Sequence, residues 1–177
     1  MTPVLPNFDV APVPGDIVLC LCNEDRQWLN VLAKLGSHRG VTYTGELVNE
    51  SAVKGVFNVI VNYSATSKLK LIVLFYLIAI MKFIGSITGL VSFSKSTALQ
   101  LAGVDFWLLT ADKLVSNQVS IEDICRLLSN NLSSSDFLGA QYVPNITDVV
   151  MFSLVDGQTN VSNNVELWLK RMRKLLN

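Results

Sequence analysis

Eleven consecutive apolar residues, LIVLFYLIAIM at positions 71–81, constrain this chain more than any other feature, because lysines bracket them closely: Lys68 and Lys70 before, Lys82 after. A membrane-crossing helix needs roughly 20 mainly apolar residues. Reaching that length would place Lys82 inside the bilayer, at a cost of about 2.5–3.5 kcal/mol on insertion scales. A strand is also a poor fit, since strands run about 3–10 residues. The spacing therefore predicts a helix of about four turns over 68–85, ended by Gly85. A helix apolar nearly all round must be covered on most of its sides. The alternative is a small integral membrane protein whose span is stretched to residues 71–93 across Ser86, Thr88, Gly89 and Ser92.

The rest of the composition fits this reading. Half of the 177 residues are hydrophobic and only 16% are charged. A core is easily built from such a chain, and some apolar surface is left to be covered by a partner or a membrane. The formal net charge is zero, which argues against nucleic-acid binding through the whole surface. Three cysteines, Cys20, Cys22 and Cys125, make no disulfide framework. The first residues lack the basic segment and apolar run of a signal peptide, so a reducing compartment is expected. The sequons at Asn49, Asn62, Asn131, Asn145 and Asn160 carry little weight in a chain so rich in Asn, Ser and Thr.

Residues 1–15 hold four of the five prolines and read as a flexible, extended arm. A single domain over 16–177 follows. Residues 16–22 read as a strand, and 23–36 as a helix capped by Asn23 and closed by Gly36. Residues 41–48 and 56–63 alternate and read as an antiparallel pair. After the apolar helix, 87–94 reads as a strand with a glycine kink. Residues 96–103 read as a short helix capped by Ser96 and stopped by Gly103, while 104–116 fits helix or strand. SIEDICRLLSNNL (120–132) is a clear helix, with Ser120 as N-cap and Asp123 at the capping-box position. Residues 146–157 read as a strand closed by a turn at Asp156–Gly157. Residues 164–177 form an amphipathic helix with Val165, Leu169, Met172 and Leu176 on one face. The order predicts an α+β domain, its antiparallel sheet packed on the central apolar helix.

Catalytic chemistry finds no foothold in this pattern. His38 is the only histidine and stands in a turn, GSHRG, without a nucleophile motif beside it. Glu24/Asp25 and Glu122/Asp123 lie in first helical turns, where the helix dipole accounts for them. Cys20, Cys22, His38 and Cys125 could in principle ligate zinc, but C-x-C is weak beside paired C-x-x-C motifs. The expectation is a non-enzyme with no metal and no cofactor. Two basic groups remain: Lys34, His38 and Arg39, and the run KRMRK at 170–174. A basic cluster beside an apolar face suits an anionic membrane or nucleic-acid phosphates, and Trp168 suits a half-wet interface.

The arm PNFDVAPVPGD (6–16), followed by GVFNVIVNYSATSKLKLIVLFYLIAIMKFIG (55–85) and SITGLVSFSKSTALQLA (86–102), resembles the matrix proteins of rhabdoviruses. In those proteins a proline-bearing arm leads to a domain in which a long strand runs into a major helix. The size is similar to that of the plant-infecting members. The resemblance implies a viral structural protein that self-associates and bridges membrane and nucleocapsid, found in the virion, in host cytoplasm and at the inner face of the membrane. Self-association would use the arm, at Pro6, Phe8, Val10, Pro12 and Pro14. The arm has no lysine or arginine, so contact with anionic lipid or nucleocapsid falls to Trp168, Lys170, Arg171, Arg173 and Lys174. Partners would be further copies of the chain, an anionic membrane surface and the nucleocapsid, with direct nucleic-acid binding less favoured. The alternative is a helical coat or nucleocapsid protein binding RNA.

Overall fold

At the centre of the computed structural model stands the ten-residue helix Ile146–Val155, buried at Ile146 through Phe152 and again at Val155. The description covers residues 17–21, 26–37, 41–45, 57–63, 70–139 and 142–176. The arm at 1–15, including Pro6, Phe8, Val10, Pro12 and Pro14, lies outside these residues, as does His38.

In chain order the elements are β1 (Ile17–Leu21), α1 (Arg26–Ser37), β2 (Val41–Gly45), β3 (Phe57–Tyr63), α2 (Lys70–Ile87), α3 (Ala98–Val115), α4 (Ile121–Asn131), α5 (Ile146–Val155) and α6 (Asn163–Leu176). The expected α+β domain with an antiparallel sheet is overturned. Six helices make up most of the described residues, and the pairing among the three short strands is parallel throughout, in the order β1-β3-β2. The connection between β2 and β3 covers residues 46–56, much longer than the roughly two to five residues of a hairpin loop, so an antiparallel return was not required.

Residues 146–157, expected as a strand, form α5 instead. A short apolar run fits a buried strand or a buried helix equally well, and its ends decide. Here the N-terminal end is a helix start. The Asn145 side chain accepts from the Thr147 N–H at 2.8 Å, and Asp148 reaches back to the Asn145 N–H at 3.0 Å, closing a capping box. α1, α2, α3 and α6 all pack against α5. It, rather than the helix at 70–87, is the central apolar helix.

α2 agrees closely with the expected helix in position but not in its end. Leu90 N–H bonds to the Gly85 carbonyl at 2.7 Å and Gly89 N–H to the Ser86 carbonyl at 3.1 Å, with Gly89 at φ 69°. That is a Schellman C-cap, so Gly89 stops the helix and the expected strand at 87–94 is a turn. Gly85 has a different task. A Cβ there would sit 3.0 Å from Ile146 and 3.1 Å from Val91, so its missing side chain lets α2 press on the start of α5. Ala79 and Phe83 of α2 are exposed, so the cover over α2 is incomplete.

α3 unites two stretches expected to be separate. Thr97, not Ser96, caps it, in a capping box with Gln100, and the helix runs straight through Gly103. Glycine weakens a helix interior by about 1 kcal/mol but does not end it when the flanking turns pack. α4 begins at Ser120 as expected, with the Asp123 N–H donating to the Ser120 hydroxyl at 3.1 Å. Trp28, Trp107, Trp168, Phe137, Met81 and the apolar face of α6 complete one continuous core around α5.

Candidate functional site

Three of the four C-terminal cations expected to meet lipid or nucleocapsid are paired with acids within the fold. Lys170 pairs with Glu166 at 2.7 Å, Arg171 with Asp136 at 3.0 Å, and Arg173 with Asp156 through both Nε and a terminal nitrogen, at 3.0 and 2.7 Å. Glu166, in turn, is held below the usual carboxylate range by its hydrogen bond to Lys170. Lys174 is exposed. These pairs lie at the surface and stabilise little, but they balance positive charge with negative charge along α6. Trp168 is not at a half-wet interface; it is fully buried.

Trp168 belongs to a knot around Asp148. Its indole Nε1–H donates to Asp148 Oδ1 at 2.9 Å, the Leu138 N–H donates to the same oxygen at 3.0 Å, and the Asn145 N–H donates to Oδ2. One carboxyl thus ties α5, α6 and the turn before α5. Gly139 is part of the fit, since a Cβ there would collide with the Asn145 amide. Burial pushes the Asp148 carboxyl up to about 6, against the pull of these three donors. A raised carboxyl in an open cleft is an acid–base candidate. This one has no exposed surface and both oxygens are engaged, so its work is to hold elements together.

A shallow groove of about 410 Å³ lies between α4 and the loop before α6, with Cys125, Arg126, Asn160 and Ser162 in its walls. Burial and the nearby Glu122 push the Cys125 thiol up, away from the reactive thiolate. Arg126 pairs with Asp123 at 3.2 Å. Among the described residues no group of three or more His, Cys, Asp or Glu could hold a metal ion. No helix among them is long and apolar enough to cross a membrane. Asn145, one of the sequons, is a buried helix cap and no surface acceptor.

The feature most in need of explanation is the outer face of α3. Leu99 is 83% exposed, Phe106 51% and Leu109 47%, and with Ala102 they fall at helical spacing along one stripe that Lys113 closes. Gly103 sits in the same stripe, open to solvent, with nothing within 4 Å of where its Cβ would be. On the opposite side Val104, Trp107, Leu108 and Ala111 are buried. Phe93 in the α2–α3 connection and Phe83 on α2 are exposed as well. Lys82 of α2 forms an ion pair with Asp105 of α3, linking the two helices beside Phe83 and Phe106. The adjacency of Phe106, Trp107, Leu108 and Leu109 suggests burial in either conformation, which hid the stripe. Extending the helix through Gly103 is the step that reveals it, because one long helix then has two apolar faces.

No protein-family model matches the chain, and no curated protein is similar to it.

Proposed function

We propose that this protein is a non-enzymatic structural protein of the viral matrix type, which self-associates and attaches to a membrane and a nucleocapsid. The observation that carries the proposal is the bare apolar stripe of α3, since a domain that works alone in water rarely leaves such a face uncovered. The passage from β3 into α2 keeps the strand-to-helix order on which the resemblance to rhabdovirus matrix proteins rests. The non-enzymatic part rests on the sequence, whose single histidine and capping carboxylates offer no acid–base pair. The test is sedimentation of the purified chain over a range of concentrations and salt, with and without anionic liposomes. Concentration-dependent assembly together with lipid attachment is the expected result. A monomer indifferent to concentration, lipid and salt overturns the reading.

A further inference from the structure

We infer that the Asp156–Gly157 bond is a site of covalent rearrangement to isoaspartate, and that Arg173 is the side chain that keeps it closed in the folded chain. The inference goes beyond the matrix reading and does not rest on it.

The sequence singles out this bond. Of the ten glycines, Gly157 is the one that follows an aspartate or an asparagine. Glycine matters there because it has no Cβ to shield its nitrogen and its φ turns freely. The structure sets the bond in the open. Asp156 is the C-cap of α5, and both residues are exposed. Gly157 has φ 96°, and nothing lies within 4 Å of where its Cβ would be. Its N–H makes no hydrogen bond to any described residue.

The rearrangement needs nothing beyond the chain and water. The Gly157 nitrogen attacks Cγ of Asp156 in its protonated form, and a C–N bond forms. The carboxyl C–O bond breaks, and its hydroxyl leaves with the amide proton as water, closing a succinimide ring. Water then adds back. Addition at Cγ restores aspartate, while addition at the main-chain carbonyl leaves the backbone running through the side chain. Nothing is oxidised or reduced.

Two features of the fold oppose ring closure. The Gly157 nitrogen must swing to the Cβ side of Asp156, but a ψ of 131° turns it away. Asp156 N–H to the Phe152 carbonyl at 2.8 Å and Gln158 N–H to the Val155 carbonyl at 3.1 Å hold the backbone on either side. Arg173 holds the side chain, donating from Nε and a terminal nitrogen to Oδ1 at 3.0 and 2.7 Å. Pinned to α6, the carboxyl cannot follow the backbone into the ring without breaking both bonds. An exposed ion pair stabilises a fold little, yet it can still hold two reacting atoms out of line, where misplacement slows a reaction steeply. Once formed, isoaspartate lengthens the main chain between α5 and α6 and moves the free carboxylate away from the side chain that Arg173 grips.

The test is incubation of the full-length chain at physiological temperature and pH, in buffer and in urea. Isoaspartate is counted by enzymatic methyl transfer from S-adenosylmethionine and placed by fragmentation mass spectrometry. The wild type is expected to react at position 156 about tenfold more slowly in buffer than in urea. Arg173→Gln, folded by circular dichroism, is expected to react several-fold faster than the wild type in buffer. Asp156→Glu keeps a carboxylate for Arg173 but closes the ring poorly, and is expected to form none there. Sodium chloride weakens an exposed pair without any substitution. It is expected to speed the wild type in buffer and to leave the rate in urea unchanged, which decides the matter should Arg173→Gln misfold. Equal rates in the wild type and folded Arg173→Gln, or no acceleration by salt, overturn the role of Arg173. No isoaspartate at position 156 in urea overturns the site itself.

Discussion

α5 and α3 are alike in sequence and opposite in fate. Both are apolar on nearly every side, and neither shows the single stripe of an ordinary surface helix. α5 is covered by four other helices, and its one charged residue is bound by three donors. α3 covers one side with Trp107, Leu108 and Ala111 and leaves Leu99, Phe106 and Leu109 bare. The comparison separates two reasons for a helix to be greasy. One is to be the middle of a core. The other is to cover a core on one side while carrying apolar side chains on an open one.

The largest effect expected at either helix is at Asp148. Replacing it with Ala strands the N–H groups of Leu138, Asn145 and Trp168 in a dry interior. Each unsatisfied buried donor costs about 1–3 kcal/mol. The sum for three donors, about 3–9 kcal/mol, is comparable to the whole stability of a domain this size. Urea titration should show the transition shifted most of the way to zero denaturant, or no folded baseline. Phe106→Ala on the bare face should stay within about 0.5 kcal/mol of wild type, as surface substitutions usually do. Equal losses at the two positions would mean that the face of α3 is covered within the chain itself.

The same carboxyl sets a pH dependence. Asp148 ionises at an ordinary 3.8 when unfolded and at about 6 when folded, because burial disfavours its charge. The folded state therefore holds the proton more tightly than the unfolded state between these values. The stabilisation is full below 3.8, declines as pH rises and is gone once the pH has passed about 6. At about 1.4 kcal/mol per pH unit this amounts to about 3 kcal/mol. Unfolding free energies measured between pH 4 and 6.5 should fall over that window, and Asp148→Asn should flatten the fall. Glu166 acts in the opposite sense from the surface, where solvent weakens it.

What the sequence made legible follows local chemistry, and what it hid depends on distant partners. Ser120 and Asp123 announce α4, and the same signature at Asn145 and Asp148 announces α5, although the apolar run that follows it suits a strand as well. The apolar run at 71–81 was rightly a helix, yet its stop lay at Gly89 rather than Gly85, since only the backbone turn tells a capping glycine from a packing one. The partners of β3 could not be read from alternation, which says which faces are apolar but not which strand lies alongside. At the candidate site the cations of α6 were visible as cations. Their neutralisation by Asp136 and Asp156 was not, because those acids are separated from Arg171 and Arg173 by whole segments of chain.

Two glycines carry the contrast between covered and bare helix surface into a smaller effect. Gly85→Ala adds a Cβ at 3.0 Å from both Cβ and Cγ1 of Ile146, inside the contact between α2 and α5. Neither atom is the free end of a flexible side chain, so the helices must part. Overpacking of this kind costs about 1–3 kcal/mol, less the roughly 1 kcal/mol that alanine gains over glycine in a helix. A net loss of about 1 kcal/mol is expected in urea denaturation.

Gly103→Ala is the mirror of that substitution. The residue lies within α3, its conformation is that of the helix around it, and its added Cβ meets nothing within 4 Å. The alanine therefore brings no clash and removes freedom from the unfolded chain, a gain of about 0.5–1 kcal/mol. Opposite signs at Gly85 and Gly103, read as opposite shifts of the urea midpoint, would establish that α2 is pressed on a neighbour where α3 is open. A loss at Gly103 would reveal a second element seated on the α3 stripe in the free protein, and the two helices of the opening comparison would then be covered alike.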